Sequence, residues 1–192
     1  MRQMITVVSG LPRSGTSLMM MMLEAGGMPL LTDGLRTPDD DNPRGYYEYE
    51  PVKRLAEDTS WVAQARGKAV KVISALLEHL PDGEAYHILF MRREMQEILA
   101  SQRAMLARRG HTTTPHTDEH IARLSREHVA QVLRRLRAQP NTALLEVSYN
   151  ELLDDPATGA RQVAEFLDAG LDVERMGAAV DPALYRQRCN TV

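Results

Sequence analysis

The segment Gly10-Leu11-Pro12-Arg13-Ser14-Gly15-Thr16-Ser17 constrains this chain most. Before it stands a short β-prone apolar run, Met4 to Ser9, and after it Gly15 to Ala25 reads as a helix with Leu18, Met19, Met22 and Leu23 on its inward stripe. Strand, glycine loop and helix in that order bring backbone N–H groups and a helix N-terminus to one place, which is a site for a phosphate-like anion. An ordinary strand-to-helix turn is the plain alternative. It leaves unexplained why Gly, Arg, Ser, Gly, Thr and Ser all fall at anion-contacting positions of a single turn. Against the nucleoside-triphosphate pattern G-x-x-x-x-G-K-[ST], the loop keeps both glycines and Ser17 but carries Thr16 in place of the lysine, and its cation is Arg13.

The rest of the chain reads as alternating strands and helices. Further strands are predicted at Ala69–Ile73, Tyr86–Met91 and Ala143–Val147. Helical character is predicted over Pro51–Ala65 and Glu94–Arg108. A long helix should start at the Thr114-Pro115 cap pair and end near Ala138, with Ile121, Leu124, Val129, Val132 and Leu136 at helical spacing. Short helices follow at Asn150–Leu153, Ala157–Leu167 and Val173–Val180. This alternation implies a three-layer α/β fold, with a central parallel sheet flanked by helices and ligands at the carboxyl ends of the strands. We expect one domain over residues 1–192, with mobile loops at 33–47 and 108–116. The first of these contains Thr37 to Gly45, two prolines and three consecutive aspartates included.

Composition sets outer limits. A length of 192 residues with 43% hydrophobic and 26% charged residues suits a globular core, and no apolar stretch approaches the roughly 20 residues of a membrane span. No leader is evident, so a cytoplasmic protein without stable membrane insertion is expected. The one cysteine, Cys189, cannot form an internal disulfide or a structural zinc cluster. A net charge of −3 argues against general nucleic-acid binding, yet residues 92–138 hold ten basic and five acidic side chains. Twenty of the 23 basic residues are arginine, whose planar fork suits anionic oxygens; a solvated surface rich in arginine is the other reading. The strand Tyr86–Met91 ends in Arg92 and Arg93, where a nucleoside-triphosphate enzyme needs a carboxylate to hold Mg²⁺. An arginine there attracts an anion and repels a metal. His116-Thr-Asp-Glu119-His120 matches H-x-x-E-H, but it falls in the first turn of a helix and has no third-ligand segment downstream, so no metal site is assigned.

The loop Gly10–Ser17 resembles the 5′-phosphosulfate loop of P-loop sulfotransferases, which move the sulfuryl group of 3′-phosphoadenosine 5′-phosphosulfate (PAPS) to a hydroxyl or amine and release adenosine 3′,5′-bisphosphate. Phe90-Met-Arg-Arg93 followed by Ser101-Gln102 is similar to the family's second motif, an arginine with a serine eight residues on. Val147-Ser-Tyr149-Asn-Glu-Leu-Leu-Asp-Asp-Pro156 resembles its later Tyr-Glu-Asp-Leu segment, and Val180–Arg188 resembles tails of bacterial members. Met95 departs from the proline usual in the second motif. The resemblance implies that Leu11, Pro12, Arg13, Ser14, Gly15, Thr16 and Ser17 bind the phosphosulfate and that Arg93 and Ser101 grip the 3′-phosphate. It further places Tyr149 near the adenine and gives Arg186 and Arg188 to cofactor binding. The acceptor would be a small molecule, and no metal is implied.

Sulfuryl transfer asks the protein for in-line geometry, charge stabilisation and a base for the acceptor's proton. Arg13 would act electrostatically, since arginine does not release a proton. Many family members carry the base in a Lys-x-His strand. Here Lys71-Val-Ile73 keeps the lysine and has isoleucine at the histidine position. The resemblance of Asn42-Pro-Arg-Gly45-Tyr-Tyr-Glu48 to a bacterial segment points to Glu48 as base; a solvated surface carboxylate is the alternative. Lys71 either assists the leaving group or is an exposed strand-end lysine. Two rival functions stay open: nucleotide binding without transfer, and a P-loop kinase or triphosphatase.

Overall fold

A computed structural model describes residues 3–39, 42, 44–108, 110 and 116–181, with the backbone alone at 116 and 117. Four strands form one sheet: β1 (Ile5–Gly10), β2 (Ala69–Lys71), β3 (Tyr86–Arg92) and β4 (Thr142–Ser148), in the order β2-β1-β3-β4. Every neighbouring pair is parallel. β1 is buried along its whole length, as a central parallel strand covered on both faces must be, and its β-branched Ile5, Thr6, Val7 and Val8 suit that position.

The helices are α1 (Thr16–Ala25), α2 (Met95–Arg108), α3 (His116–Ala138), α4 (Tyr149–Asp154), α5 (Pro156–Leu167) and α6 (Val173–Ala178). One core packs Met19, Met20, Met22 and Leu23 of α1 against Leu152, Val163 and Met176. The other lies across the sheet, where Val129, Leu133 and Leu136 of α3 meet Ile5, Val7, Ile88 and Phe90. Helices on both faces of a parallel sheet make the three-layer α/β architecture expected from the sequence. Local chemistry sets the helix starts on the first face. Asp155 caps α5 by accepting from the Thr158 N–H at 3.1 Å, with Pro156 next to it, and Asp172 caps α6 by accepting from the Arg175 N–H at 3.0 Å.

Three expectations need correction. Pro51–Ala65 holds two short 3₁₀ turns, Glu50–Arg54 and Val62–Ala65, which serve to carry Val52, Leu55, Trp61 and Val62 into the second core. β2 stops at Lys71, so Ile73 lies beyond it and is exposed. On α3, Ile121 and Leu124 face solvent, while Ala122, Val129, Leu133 and Leu136 are buried. At about 100° per residue, Ile121 and Leu124 sit roughly 100° and 160° from the direction of Ala122, off the stripe that faces the sheet.

The strand register decides where the site forms. Val8 pairs with Lys71, Gly10 with Met91, and Arg92 with Ser148. The glycine loop, Lys71, the strand-end arginines and Tyr149 therefore come together at the carboxyl edge of the sheet.

Candidate functional site

β1 ends at Gly10 because the chain must turn there against β3. A Cβ at Gly10 would run into Ser14 Oγ and lie 2.8 Å from the Met91 carbonyl oxygen. At Gly15, with φ +101°, a Cβ would enter the ring of Tyr149. Only glycine lets the loop lie this close to β3 and α4. Between the two, Arg13 has φ 73°, a left-handed conformation unusual for a side chain with a Cβ. No side chain caps α1 and its first turn has no acid, so the helix N-terminus is left to face an anion. Ser14 Oγ is buried without a hydrogen-bond partner among the described residues.

The loop borders a cavity of about 690 Å³. Arg13 Nε donates to Ser101 Oγ at 2.9 Å, which joins the first and second motifs. Lys71 Nζ donates to Ser17 Oγ at 3.1 Å and to the Tyr46 carbonyl at 2.8 Å. Burial lowers the Lys71 pKa to about 8; the Glu48 charge opposes that shift, and Arg36 and Arg13 add to it. Lys71 is thus a cation lining the cavity and held by Ser17 and the Tyr46 carbonyl, and the reading of it as an exposed strand-end lysine is set aside.

Arg93 is almost enclosed, with 8% of its side chain exposed. Its Nε donates to Glu97 Oε2 at 3.0 Å and its Nη1 to the Arg13 carbonyl oxygen at 3.0 Å, and its guanidinium lies over the Tyr149 ring, 4.5 Å from the centroid. Tyr149 is wedged between Gly15 and Arg93, and burial raises its pKa, with Arg93 countering. Both residues line the cavity.

Glu48 also lines the cavity, and its Oε1 accepts from Arg36 Nη1 at 2.8 Å. Arg36 in turn stacks on Tyr46, 3.3 Å from the ring centroid. The segment leading to Glu48 is tied to α1, since Asn42 Nδ2 donates to Ser17 Oγ at 2.9 Å and Tyr47 Oη to Glu24 Oε2 at 2.9 Å. Burial, followed by the bond to Glu24, pushes the Tyr47 phenol up to about 12.

Leu11, Pro12, Arg13, Gly15, Thr16, Ser17, Glu48, Lys71, Arg93, Ser101 and Tyr149 accordingly line one cavity, and Ser14 is buried within the loop. Arg186 and Arg188 lie outside the described residues. In the H-x-x-E-H segment, His120 Nδ1 meets Arg123 Nη2 at 3.1 Å and Asp118 pairs with Arg103 of α2, so these two side chains have local partners. Three residues of the site's surroundings were given no role from the sequence: Arg36, Glu97 and Asn150. For Glu97 a signal was present, an acid four residues after Arg93 on a helix. Arg36, in an irregular segment, offered none.

A protein-family model described as "Sulfotransferase family" matches residues 46–173. Among solved structures, the sulfotransferase domain of the olefin synthase of Synechococcus PCC 7002 aligns over 100% of this chain and 91% of its own, at 16% identity and TM-score 0.58. A sulfotransferase from Mycobacterium avium aligns over 93% and 67% at 16% identity and TM-score 0.53, and one from Alicyclobacillus acidocaldarius over 96% and 89% at 17% and 0.52. Comparison with curated proteins finds no match. Identities this low speak for the fold. The family match begins at Tyr46, beyond the glycine loop, so the loop's assignment rests on its own geometry. With two thirds of its length matched by that model, the chain belongs to the sulfotransferase family.

Proposed function

We propose that this protein transfers the sulfuryl group of PAPS to a hydroxyl or amine of a small acceptor. The observation that carries the reading is the loop itself: a turn packed so closely on β3 and Tyr149 that no Cβ fits at Gly10 or Gly15, an uncapped helix N-terminus, and Arg13 and Lys71 lining the same cavity. This donor set fits a compact, multiply charged anion, and the buried Ser14 Oγ adds a polar group still lacking a partner among the described residues. When bound, PAPS supplies an activated sulfuryl group on a phosphate leaving group.

The loop amides and Arg13 would hold the phosphosulfate end, and Arg13 offers permanent charge without proton transfer. Lys71, protonated below about pH 8, supplies a second cation next to Ser17 and suits the charge that grows on the leaving phosphate. Arg93 and Ser101 face the same cavity and suit the 3′-phosphate, with Tyr149 beside them. The acceptor must lose one proton as it takes the sulfuryl group, and of the two carboxylates lining the cavity, Glu48 and Asp181, Glu48 is the one we assign to that step. Its Oε1 is held by Arg36 in an ion pair, which leaves Oε2 as the oxygen to take the proton.

That ion pair, with Ile73 at the position of the family's histidine, favours a second reading in which the donor is bound and nothing is transferred. Incubation with sulfur-35-labelled PAPS and a panel of small alcohols, phenols and amines separates the two. Labelled product is expected from the wild type, with Glu48→Gln binding donor normally and transferring at a rate lower by at least ~100-fold. Donor binding with no labelled product from any acceptor would establish the second reading.

A further inference from the structure

The second motif contains a carboxylate with no role in the reading above. Glu97 lies on α2 one turn after Arg93, and its side chain is 2% exposed. Its Oε2 accepts from Arg93 Nε at 3.0 Å and from Asn150 Nδ2 at 3.2 Å. Asn150 is fixed as well, because its Oδ1 accepts from the Glu94 N–H at 3.3 Å. On the other side of Arg93, Nη1 donates to the Arg13 carbonyl oxygen at 3.0 Å, at the residue whose φ of 73° is left-handed. Arg13 then places its own Nε on Ser101 Oγ. An unbroken series of polar contacts thus runs from α4 through Glu97 and Arg93 to the tip of the glycine loop.

We infer that Glu97, seated by Asn150, is a positioning residue that orients Arg93 so that the Arg93 guanidinium holds the loop in its anion-accepting conformation. A buried arginine has many rotamers and five N–H donors to place. A carboxylate on Nε fixes the plane of the fork, and the tyrosine ring beneath it removes the remaining rotation. With the fork fixed, Nη1 meets the Arg13 carbonyl in the one loop geometry that needs a left-handed non-glycine residue. Without Glu97, Arg93 is left a buried charge lacking its main counter-ion; it would turn toward solvent and the loop would lose the bond that stabilises Arg13. The effect on donor binding rests on the proposed function, whereas the effect on loop order does not.

Glu97→Gln keeps the shape and removes the charge, Glu97→Asp keeps the charge, and Asn150→Ala is a milder variant should Glu97→Gln fail to fold. Amide hydrogen exchange on the full chain is read over residues 11–17 and, as a control, over β1 and β3. Loop exchange is expected to rise roughly 10-fold in Glu97→Gln and less in Asn150→Ala, with the strands unchanged and Glu97→Asp close to wild type. Alongside this, adenosine 3′,5′-bisphosphate should bind Glu97→Gln roughly 10-fold more weakly, and the KM for PAPS should rise with little change in the KM for acceptor. Unchanged loop exchange in both variants would overturn the inference. So would exchange that rises equally over loop and strands, which is what a residue serving stability alone would give. Faster loop exchange in a protein whose wild type binds no adenosine 3′,5′-bisphosphate would support the positioning role and refute the donor assignment.

Discussion

Replacing Lys71 by methionine should make the stability difference between variant and wild type depend on pH in a calculable way. In the folded protein the ammonium is buried against Ser17 and the Tyr46 carbonyl, and burial lowers its pKa from 10.5 to about 8. At 1.36 kcal/mol per pH unit, that gap is worth about 3 kcal/mol. Below pH 8 the lysine is charged in both the folded and the unfolded state, and the folded state carries the whole cost of burying the charge. Between pH 8 and 10.5 the folded state gives up its proton first, so wild-type stability rises with pH relative to the variant; above 10.5 the cost is gone. Urea titrations of both proteins from pH 7 to 11 measure this directly, and every other ionisable group cancels in the difference. Lys71→Met should gain about 3 kcal/mol on wild type at pH 7 compared with its standing at pH 11. If the difference is the same at both ends, Lys71 has an ordinary pKa and is not buried in this cavity. Turnover adds a second reading, since a role for the ammonium means that wild-type kcat/KM for the donor falls as pH rises through about 8.

Two further perturbations test the scaffold. Gly15→Ala places a Cβ in the Tyr149 ring at φ +101°, and should cost about 3 kcal/mol in urea denaturation and abolish donor binding; a neutral substitution would mean the loop does not lie against α4 as described. On α3, Leu136→Ala at a side chain 1% exposed should cost 2–5 kcal/mol, while Leu124→Ala at 48% exposure should change stability by less than ~0.5 kcal/mol. Equal costs in thermal or chemical denaturation would show that the buried face of α3 is wrongly assigned.

The parts of this protein legible in its sequence are those governed by neighbours along the chain. The loop between β1 and α1 could be read because its glycines, Arg13 and the uncapped helix start lie within eight residues. The strand-end position of Arg92 and Arg93 followed from a short apolar run with abrupt ends. Periodicity served less well on α3, because Ile121 and Leu124 have helical spacing yet lie on a flank left exposed among the described residues, and the burial of Ala122 in their place depends on where the sheet sits. The 3₁₀ turns between Glu50 and Ala65 likewise owe their form to the core they fill. In the site, Arg36 could not be paired with Glu48, nor Asn150 with Glu97, because each pair is brought together by the fold. The same holds for Arg93: its position was readable, but its bond to the Arg13 carbonyl joins residues 80 apart in the chain.

Calorimetric titration of the full chain, with adenosine 3′,5′-bisphosphate in the presence of a chelator and with ATP plus Mg²⁺, tests the central claim most directly. A donor site built from Gly10, Arg13 and Gly15 predicts metal-free binding of the bisphosphate, weakened about 10- to 100-fold by Arg13→Ala through loss of charge-assisted hydrogen bonds. Tight Mg²⁺-dependent binding of ATP, with no affinity for the bisphosphate, would contradict it.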